Sequence, residues 1–91
     1  MPQTEATRRA VRRDGQICLW CFYVLGKITH TKVGHHIFGR RFYDKEELII
    51  ALCPSCHDKV HQGLISRDDL INKVVRPYIW EGRDLTPKEF G

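Results

Sequence analysis

The stretch Ala51-Leu-Cys-Pro-Ser-Cys-His57 decides the fold of this chain, because its Cys-x-x-Cys knuckle has a counterpart at Cys18 and Cys21. Two such pairs supply four thiolates, the number that completes a tetrahedral structural zinc site. Disulfide bonding is the alternative use of four cysteines, but short Cys-x-x-Cys pairs without a secretory signal favour zinc. We therefore predict one structural Zn²⁺ that is held by Cys18, Cys21, Cys53 and Cys56.

Length and composition predict one small domain, residues 1–91, which needs the zinc as a staple. A chain of 91 residues has room for only a thin core. A structural zinc can contribute on the order of 10 kcal/mol of apparent binding energy. No apolar stretch approaches the roughly 20 residues that cross a bilayer. We expect a soluble, intracellular protein that makes no membrane contact.

Turn residues and apolar runs predict an α+β fold. Residues 1–16 are expected to form a basic N-terminal helix, spanning 4–14, with Thr4 as N-cap and Gly15 as its end. Residues 17–63 should hold the two knuckles and the core. Residues 64–91 should form a C-terminal helix and tail. Within 17–63 we expect strands at 20–25, 27–31 and 32–38, a polar, basic loop at 39–47, and a buried strand or loop at 48–52.

Two helices are expected in the C-terminal half. Pro54 suits the first turn of a helix that ends near Gln62, with Gly63 as its C-terminal cap. Ser66, with Asp69 three residues on, opens a second helix that should end at Arg76, before a proline. The apolar side chains expected to be buried here are Leu64, Leu70, Ile71, Val74 and Val75 in the helix, and Ile79 and Trp80 in the tail.

The charge distribution points towards a polyanion. The net charge is +4, the pI is near 9.0, and the arginines are clustered. A solvated basic helix face is the plain alternative for the N-terminal cluster. The second cluster follows the histidine pair 35–36 by four residues, and there we favour phosphate contact. We predict that the phosphates of a polyanion are bound by Arg8, Arg9, Arg12 and Arg13 in the first cluster, and by Arg40 and Arg41 in the second.

The histidines exceed what the zinc site needs. His57 and His61 are four residues apart, so on a helix both imidazoles project from one face and can bind one metal. His35 and His36 are adjacent on a predicted strand, so they point to opposite sides. They cannot easily serve one metal together, which favours one ligand and one base. A neutral imidazole can take a proton from water, and a divalent cation can stabilise the leaving oxygen of a phosphodiester.

These residues resemble a known family. The run His35-His36-Ile37, the segment 51–57 and His61 are similar to the HNH endonucleases, in their four-cysteine zinc-ribbon branch. The resemblance covers residues 18–61. It implies a ββα-metal core, in which two strands and a helix surround one divalent ion. It assigns His36 as the general base, and His35, His57 and His61 as ligands of the catalytic ion.

The resemblance also implies an activity and its setting. We expect a metal-dependent endonuclease that cuts double-stranded DNA, leaves 5′ phosphate and 3′ hydroxyl ends, and nicks one strand per active site. The catalytic cation would be Mg²⁺ or Mn²⁺, with Zn²⁺ or Ni²⁺ as further candidates. Small proteins of this branch are frequent in phages and prophages, which implies the cytoplasm of a bacterial or phage-infected cell. The choice between monomer and dimer stays open.

Several alternatives remain at this stage. The family's middle asparagine falls at Glu47 or Leu48, so Glu47 is the candidate for bracing the loop. His57 could displace a thiolate as a zinc ligand. His61 could be a helix-end residue that interacts with the dipole at the C-terminus of its helix. His30 is expected to be an ordinary polar strand residue.

Two other functions compete with the endonuclease. One is a metalloprotease, since His57-Asp58-x-x-His61 is a weakened His-Glu-x-x-His. The other is a non-catalytic zinc ribbon that binds DNA or protein. Incubating plasmid with magnesium or manganese separates the endonuclease from this second rival.

Overall fold

The structure, a computed structural model, describes residues 3–41 and 43–88. It combines helices with one small sheet, so the α+β expectation is confirmed. The elements in chain order are α1 (Glu5–Arg13), α2 (Leu19–Tyr23), β1 (Gly34–His36), a 3-10 turn (Glu46–Leu48), β2 (Ile49–Ala51), α3 (Pro54–His61), α4 (Arg67–Leu70) and a π-helical segment (Ile71–Ile79) that continues α4.

The two strands pair antiparallel, and their register separates two faces. His35 lies opposite Ile50, while the two flanking pairs are Gly34 with Ala51 and His36 with Ile49. Because successive side chains alternate, His35 and His36 point to opposite faces of the sheet, as the sequence predicted.

Helix α1 packs on the Gly34 side of the sheet. An added Cβ at Gly34 would lie 2.5 Å from Thr7 Cγ2 and 3.5 Å from Val11 Cγ2. Thr4 caps α1 as predicted, because its side chain accepts a hydrogen bond from the Thr7 N–H. The helix and the strand therefore approach more closely than any larger residue at position 34 allows.

The end of α1 is joined to β2 and to the turn before it. Asp14 is buried and lies 2.8 Å from the Arg13 guanidinium. Its carboxylate accepts a hydrogen bond from the Ala51 N–H at 2.8 Å. Arg13 also donates to the carbonyl oxygens of Glu46 and Ile49, both at 2.7 Å. These bonds satisfy backbone groups at the edge of the sheet.

The core lies between the knuckles, β2 and the C-terminal helix. Trp80 is fully buried, and its indole N–H donates to the Glu47 carbonyl at 2.7 Å. The prediction that Trp80 anchors the tail is confirmed, and Ile79 is half-buried against the same core. Residues 89–91, the end of the predicted tail, lie outside the described residues.

Two predicted strands are wrong. Residues 20–25 contain α2 instead, because Cys18 caps a helical turn through a 3.4 Å bond from the Cys21 N–H to its sulfur. Residues 27–31 form only a single bridge, between His30 and Ile17. The strands expected at 32–38 and 48–52 are confirmed but shorter, with three residues each.

The C-terminal helix also departs from the prediction. Leu64 is 70% exposed, because it follows the left-handed Gly63 in the turn before α4, and Ile65 takes the buried position instead. The helix does not end at Arg76. Pro77 removes one N–H, and the chain continues in wider turns, with the Trp80 N–H bonding to the Val75 carbonyl at 2.8 Å. Among the described residues, no helix is long and apolar enough to cross a membrane.

The close packing at Gly34 makes a testable prediction. Gly34→Ala should lower the free energy of unfolding by about 1–3 kcal/mol, because the new methyl group overlaps Thr7 Cγ2. Thr7→Ser removes that methyl group and keeps the hydroxyl, so the double variant should recover part of the loss. Chemical denaturation of the three variants measures both effects. Full stability of Gly34→Ala would contradict the close approach of α1 to β1.

Candidate metal centres

Each cysteine pair opens a helix, and this brings its two thiols together. Cys18 is the N-cap of α2 and Cys53 the N-cap of α3, so their partners Cys21 and Cys56 lie one turn further on. All four sulfurs lie within 4.8 Å of one another, and all four residues are buried. The cluster therefore joins α2 to α3, although 31 residues of chain separate the two knuckles.

The sulfur spacing fits a tetrahedral metal and not a disulfide. Cys21 Sγ lies 3.9 Å from Cys53 Sγ and 3.7 Å from Cys56 Sγ. A tetrahedron with Zn–S bonds of about 2.3 Å has sulfur–sulfur edges of about 3.8 Å. A disulfide bond needs about 2.05 Å, and all four cysteines are free. The four cysteines could therefore hold a metal ion such as zinc.

Without a cation, two of the four cysteines disfavour the thiolate form. Burial raises the pKa of the Cys56 thiol, and the neighbouring sulfurs raise it further. Burial likewise raises the pKa of Cys18. At Cys53 burial acts in the same direction, but hydrogen bonds from Cys56 and the other thiols outweigh it and lower the pKa. Thiolates are the form that binds metal, so a cation here would offset the cost of burying their charge.

Three histidines form a second cluster that is separate from the sulfurs. His35 comes from β1, and His57 and His61 come from one face of α3. Their ligand nitrogens lie within 4.8 Å of one another, so the three imidazoles could hold a second ion. The ring centroids are 4.5 Å apart for His57 and His61, and 5.2 Å apart for His35 and His57. We call this set the tri-histidine cluster.

Exposure increases steadily across the tri-histidine cluster. His35 is buried, His57 is half-buried and His61 is exposed. Three protein ligands that are open on one side leave positions for water or substrate, as in catalytic rather than structural metal sites. Because His57 belongs to this cluster, it does not displace a thiolate in the sulfur cluster.

The two inner imidazoles favour the neutral state that a metal needs. Burial, followed by the positive charges of His57 and His61, lowers the pKa of His35 to about 4. Burial also lowers the pKa of His57, followed by the charge of His61, while Asp58 opposes the shift.

His36 has a different partner on the other face of β1. Its Nε2 lies 2.7 Å from Asp44 Oδ1, and the hydroxyl of Thr4 donates to the same oxygen at 2.8 Å. The hydrogen bond to His36 lowers the pKa of Asp44, which keeps that carboxylate ionised. No sequence pattern indicated Asp44, since one acidic residue in a polar loop carries no signal of its own.

The predicted DNA-binding arginines lie in three different settings. Arg8 and Arg9 are exposed on α1, with Glu5 3.0 Å and 3.2 Å away. Arg13 points inward to the carbonyls described above, with its side chain 26% exposed, so it serves the fold. The remaining three, Arg12 on α1 and Arg40 and Arg41 in the turn after β1, are exposed.

The loop before β2 is held by contacts to its backbone carbonyls, whereas the sequence predicted a brace by the Glu47 side chain. The contact of Glu47 is made by its backbone carbonyl, which accepts from Trp80. Arg13 binds the carbonyls on either side of that turn. Backbone contacts to Arg13 and Trp80 thus hold the position where the resemblance places an asparagine. His30 is exposed and belongs to neither cluster.

No known protein family, curated protein or solved structure matches this chain. The function proposed below therefore depends on the geometry of the two clusters and of His36.

The sulfur cluster should keep its metal when the tri-histidine cluster is altered. Cys56→Ser should lose the folded structure and with it both ions, because the sulfur cluster joins α2 to α3. His57→Ala should keep the fold and weaken binding of the second ion by about tenfold or more, equal to about 1.4 kcal/mol. Elemental analysis and circular dichroism measure both effects, with the exposed His30→Ala as control. Loss of both ions in His57→Ala would show that the clusters are not separate.

Stability should fall as the pH drops, because the pKa of His35 is depressed in the folded chain. The contribution is fully present above the unfolded pKa of about 6.5 and is lost as the pH falls towards about 4. Between pH 7.5 and 5.5 this amounts to about 1 kcal/mol. Denaturation with one equivalent of zinc, which the thiolates take first, measures the change. His35→Leu should flatten the dependence, and an unchanged slope would contradict the burial of a neutral His35.

Proposed function

We propose that this chain is a metal-dependent DNA endonuclease of the HNH, ββα-metal kind that hydrolyses phosphodiester bonds. One observation carries the proposal. Strand β1 directs His35 into the tri-histidine cluster and directs the next residue, His36, to a carboxylate on the opposite face. A ligand and an oriented base therefore lie side by side at the end of one strand.

This arrangement suits an in-line displacement at phosphorus. In such a reaction the attacking water and the leaving oxygen lie on opposite sides of the phosphate. A phosphate placed beyond the end of β1 would have His36 on one side and the tri-histidine cluster on the other. Because side chains alternate along β1, water activation by His36 and stabilisation of the leaving oxygen by the ion would take place on opposite sides of the phosphate, as an in-line displacement requires.

His36 has the features of an oriented general base. Asp44 engages Nε2 of the ring, which fixes the ring and leaves Nδ1 as the nitrogen that would take a proton from water. Thr4 holds the same carboxylate oxygen from the cap of α1. Asp44 acts through His36, so we assign it as a positioning residue.

The ligand set favours a transition metal. Imidazoles suit zinc and nickel better than magnesium or manganese, which prefer oxygen ligands. A divalent ion bound here would stabilise the charge on the departing 3′ oxygen. His35, His57 and His61 would hold that ion, and their open side leaves room for a phosphate. Among the cations named by the resemblance, we therefore expect Zn²⁺ or Ni²⁺ to support activity better than Mg²⁺ or Mn²⁺.

The remaining features fit roles around this centre. Zinc in the sulfur cluster would hold α3, and with it His57, in place. Arg8, Arg9, Arg12, Arg40 and Arg41 offer exposed charge for DNA phosphates. One centre would nick one strand. The rival non-catalytic zinc ribbon needs only the sulfur cluster and leaves the tri-histidine cluster and the His36–Asp44 pair without a role.

The proposal predicts different defects in two adjacent residues. His36→Ala should lower the rate of plasmid nicking by about 10²- to 10⁴-fold while metal affinity is unchanged, because the base is not a ligand. His35→Ala should weaken metal binding, and excess metal should restore part of the rate. Nicking assays with several metals and calorimetry measure the two properties.

Asp44→Asn supplies the graded control for this experiment. It keeps a side chain of the same size beside His36 but removes the charge, so the rate should fall while metal affinity stays the same. If His36→Ala loses the metal and His35→Ala keeps it, the two roles are reversed. If the unaltered chain leaves plasmid intact with every metal, the endonuclease proposal fails.

A further inference from the structure

Two adjoining clefts lie where α1 meets the chain that leads into β1. The first has a volume of about 220 Å³ and is lined in part by Arg8 and Arg12 of the helix. The second has a volume of about 320 Å³ and is lined in part by His30. Because Gln16 and Lys32 line both clefts, the two form one continuous surface, which we call the α1 groove.

The α1 groove carries positive charge without a compensating carboxylate. Arg8, Arg12 and Lys32 line it, and no acidic residue does so in the part of the chain that the structure describes. Arg8 is partly compensated, because its guanidinium lies 3.0 Å from the Glu5 carboxylate. Arg12 and Lys32 are exposed, and neither side chain has a hydrogen-bond or ion-pair partner among the described residues. Two cations are therefore available to an anion in this groove.

Gln16 adopts a backbone conformation that is costly for any residue except glycine. Its φ is 57°, in the left-handed region where the side chain crowds the backbone. The turn is held by two bonds: the Gln16 N–H donates to the Val11 carbonyl at 3.0 Å, and the Gln16 carbonyl accepts from the Thr31 N–H at 2.9 Å. Its exposed side chain has no hydrogen-bond partner among the described residues. Glycine would fit with less strain, so a glutamine at the groove points to a use of its amide.

The α1 groove lies at a defined distance from the proposed base. The helix cap Thr4 holds Asp44, which holds His36. Arg12 follows Thr4 by eight residues, which places it about 12 Å further along the helix axis. Lys32 precedes His36 by four residues, a separation of at most about 14 Å. Since one strand of duplex DNA carries a phosphate about every 3.4 Å of its axis, 12 Å corresponds to about three to four nucleotides.

We propose that the α1 groove binds a backbone phosphate of duplex DNA, about three to four nucleotides from the phosphate that is cut. Arg12 and Lys32 share this phosphate, and the Gln16 amide donates a hydrogen bond to it. The inference rests on the proposed function for the choice of DNA, and it adds Lys32 and Gln16, which no motif indicated. The first cleft, at about 220 Å³, is smaller than the roughly 300–1,000 Å³ of small-molecule sites, so a single phosphate suits it better. Such a contact fixes the register of the strand and reads no base.

The experiment measures binding of duplex DNA rather than cleavage. Protein with one equivalent of zinc is titrated into a fluorescein-labelled duplex, and fluorescence anisotropy gives the affinity at several salt concentrations. Arg12→Gln and Lys32→Gln should each weaken binding by about three- to tenfold. Each should also reduce the slope of log affinity against log salt, by up to about 0.9.

Lys27→Gln is the matched control for Lys32→Gln. Lys27 is an exposed lysine of the same connecting segment and lines neither cleft. Its affinity should stay within about twofold of the unaltered chain, because solvent and salt screen a charge that makes no phosphate contact. If Lys27→Gln loses as much affinity as Lys32→Gln, binding depends on net charge alone and the groove is not a site.

A double variant shows whether the two cations act on one phosphate. The affinity of Arg12→Gln/Lys32→Gln should differ by more than about twofold from the product of the two single effects, because residues that share a partner are energetically coupled. Arg12→Gln combined with Lys27→Gln should give the simple product. Independent effects of Arg12 and Lys32 would contradict a shared phosphate.

Gln16→Gly separates a binding role from a structural one. The change relieves the left-handed backbone, so the midpoint of thermal unfolding should not fall. It also removes the amide, so the affinity for the duplex should fall by about two- to tenfold. A lower midpoint together with unchanged affinity would show that Gln16 serves the fold and has no place in the site.

The outcomes distinguish this inference from the endonuclease proposal. If Arg12→Gln and Lys32→Gln keep full affinity while the unaltered chain nicks plasmid, the inference is overturned and the proposed function stands. If these variants lose affinity and slope but the unaltered chain never nicks, the phosphate site stands and the nuclease proposal fails. If inorganic phosphate displaces the duplex at a concentration equal to that of the duplex phosphates, the groove binds a free anion and its assignment to DNA is wrong.

Discussion

The convergence of four buried sulfurs is the constraint on which the other features of this structure depend. Burial raises the pKa of Cys18 and Cys56, so a cation would have to displace their protons and would then offset the cost of the buried charges. Such an ion would tie α2 to α3 across a long stretch of chain. Helix α3 would then have little freedom, because its N-cap and its first turn both supply thiols. Since His57 follows Cys56 directly, the helix that would hold the first ion also positions His57 and His61.

Strand β1 divides the chemistry of the site between two faces. Its register places His35 opposite Ile50, on the same side as the tri-histidine cluster, and His36 opposite Ile49. On the second face, α1 supplies Thr4 to hold Asp44, which in turn holds His36. The N-terminal helix thus has a role beyond its basic surface. Its cap reaches the proposed base, and Arg13 at its end holds the turn before β2.

The charge of the tri-histidine cluster bears on the ligand that it would accept. The cluster consists of three imidazoles and contains no carboxylate, so a divalent ion bound there would keep its full charge. Imidazole ligands favour zinc and nickel over magnesium, which prefers oxygen ligands. Under the proposed function, that uncompensated charge would act on the phosphate.

The sequence by itself determined the elements that local rules govern. The cysteine spacing indicated one four-sulfur cluster, the four-residue spacing on α3 indicated two histidines on one face, and alternation along β1 separated His35 from His36. These features depend on contacts within a turn or on strand geometry, so they can be predicted from residue spacing.

The prediction of a strand at 20–25 was wrong because the geometry of the cysteine knuckle overrides β propensity. The predicted burial of Leu64 was wrong because the turn at Gly63 shifts the buried position to Ile65. Only the tertiary structure placed Asp44 at His36, Arg13 at the carbonyls of a distant turn, and Arg67 over the ring of Phe38. Each of these contacts joins segments that are far apart in the chain, and a lone charged residue carries no pattern that reveals its partner.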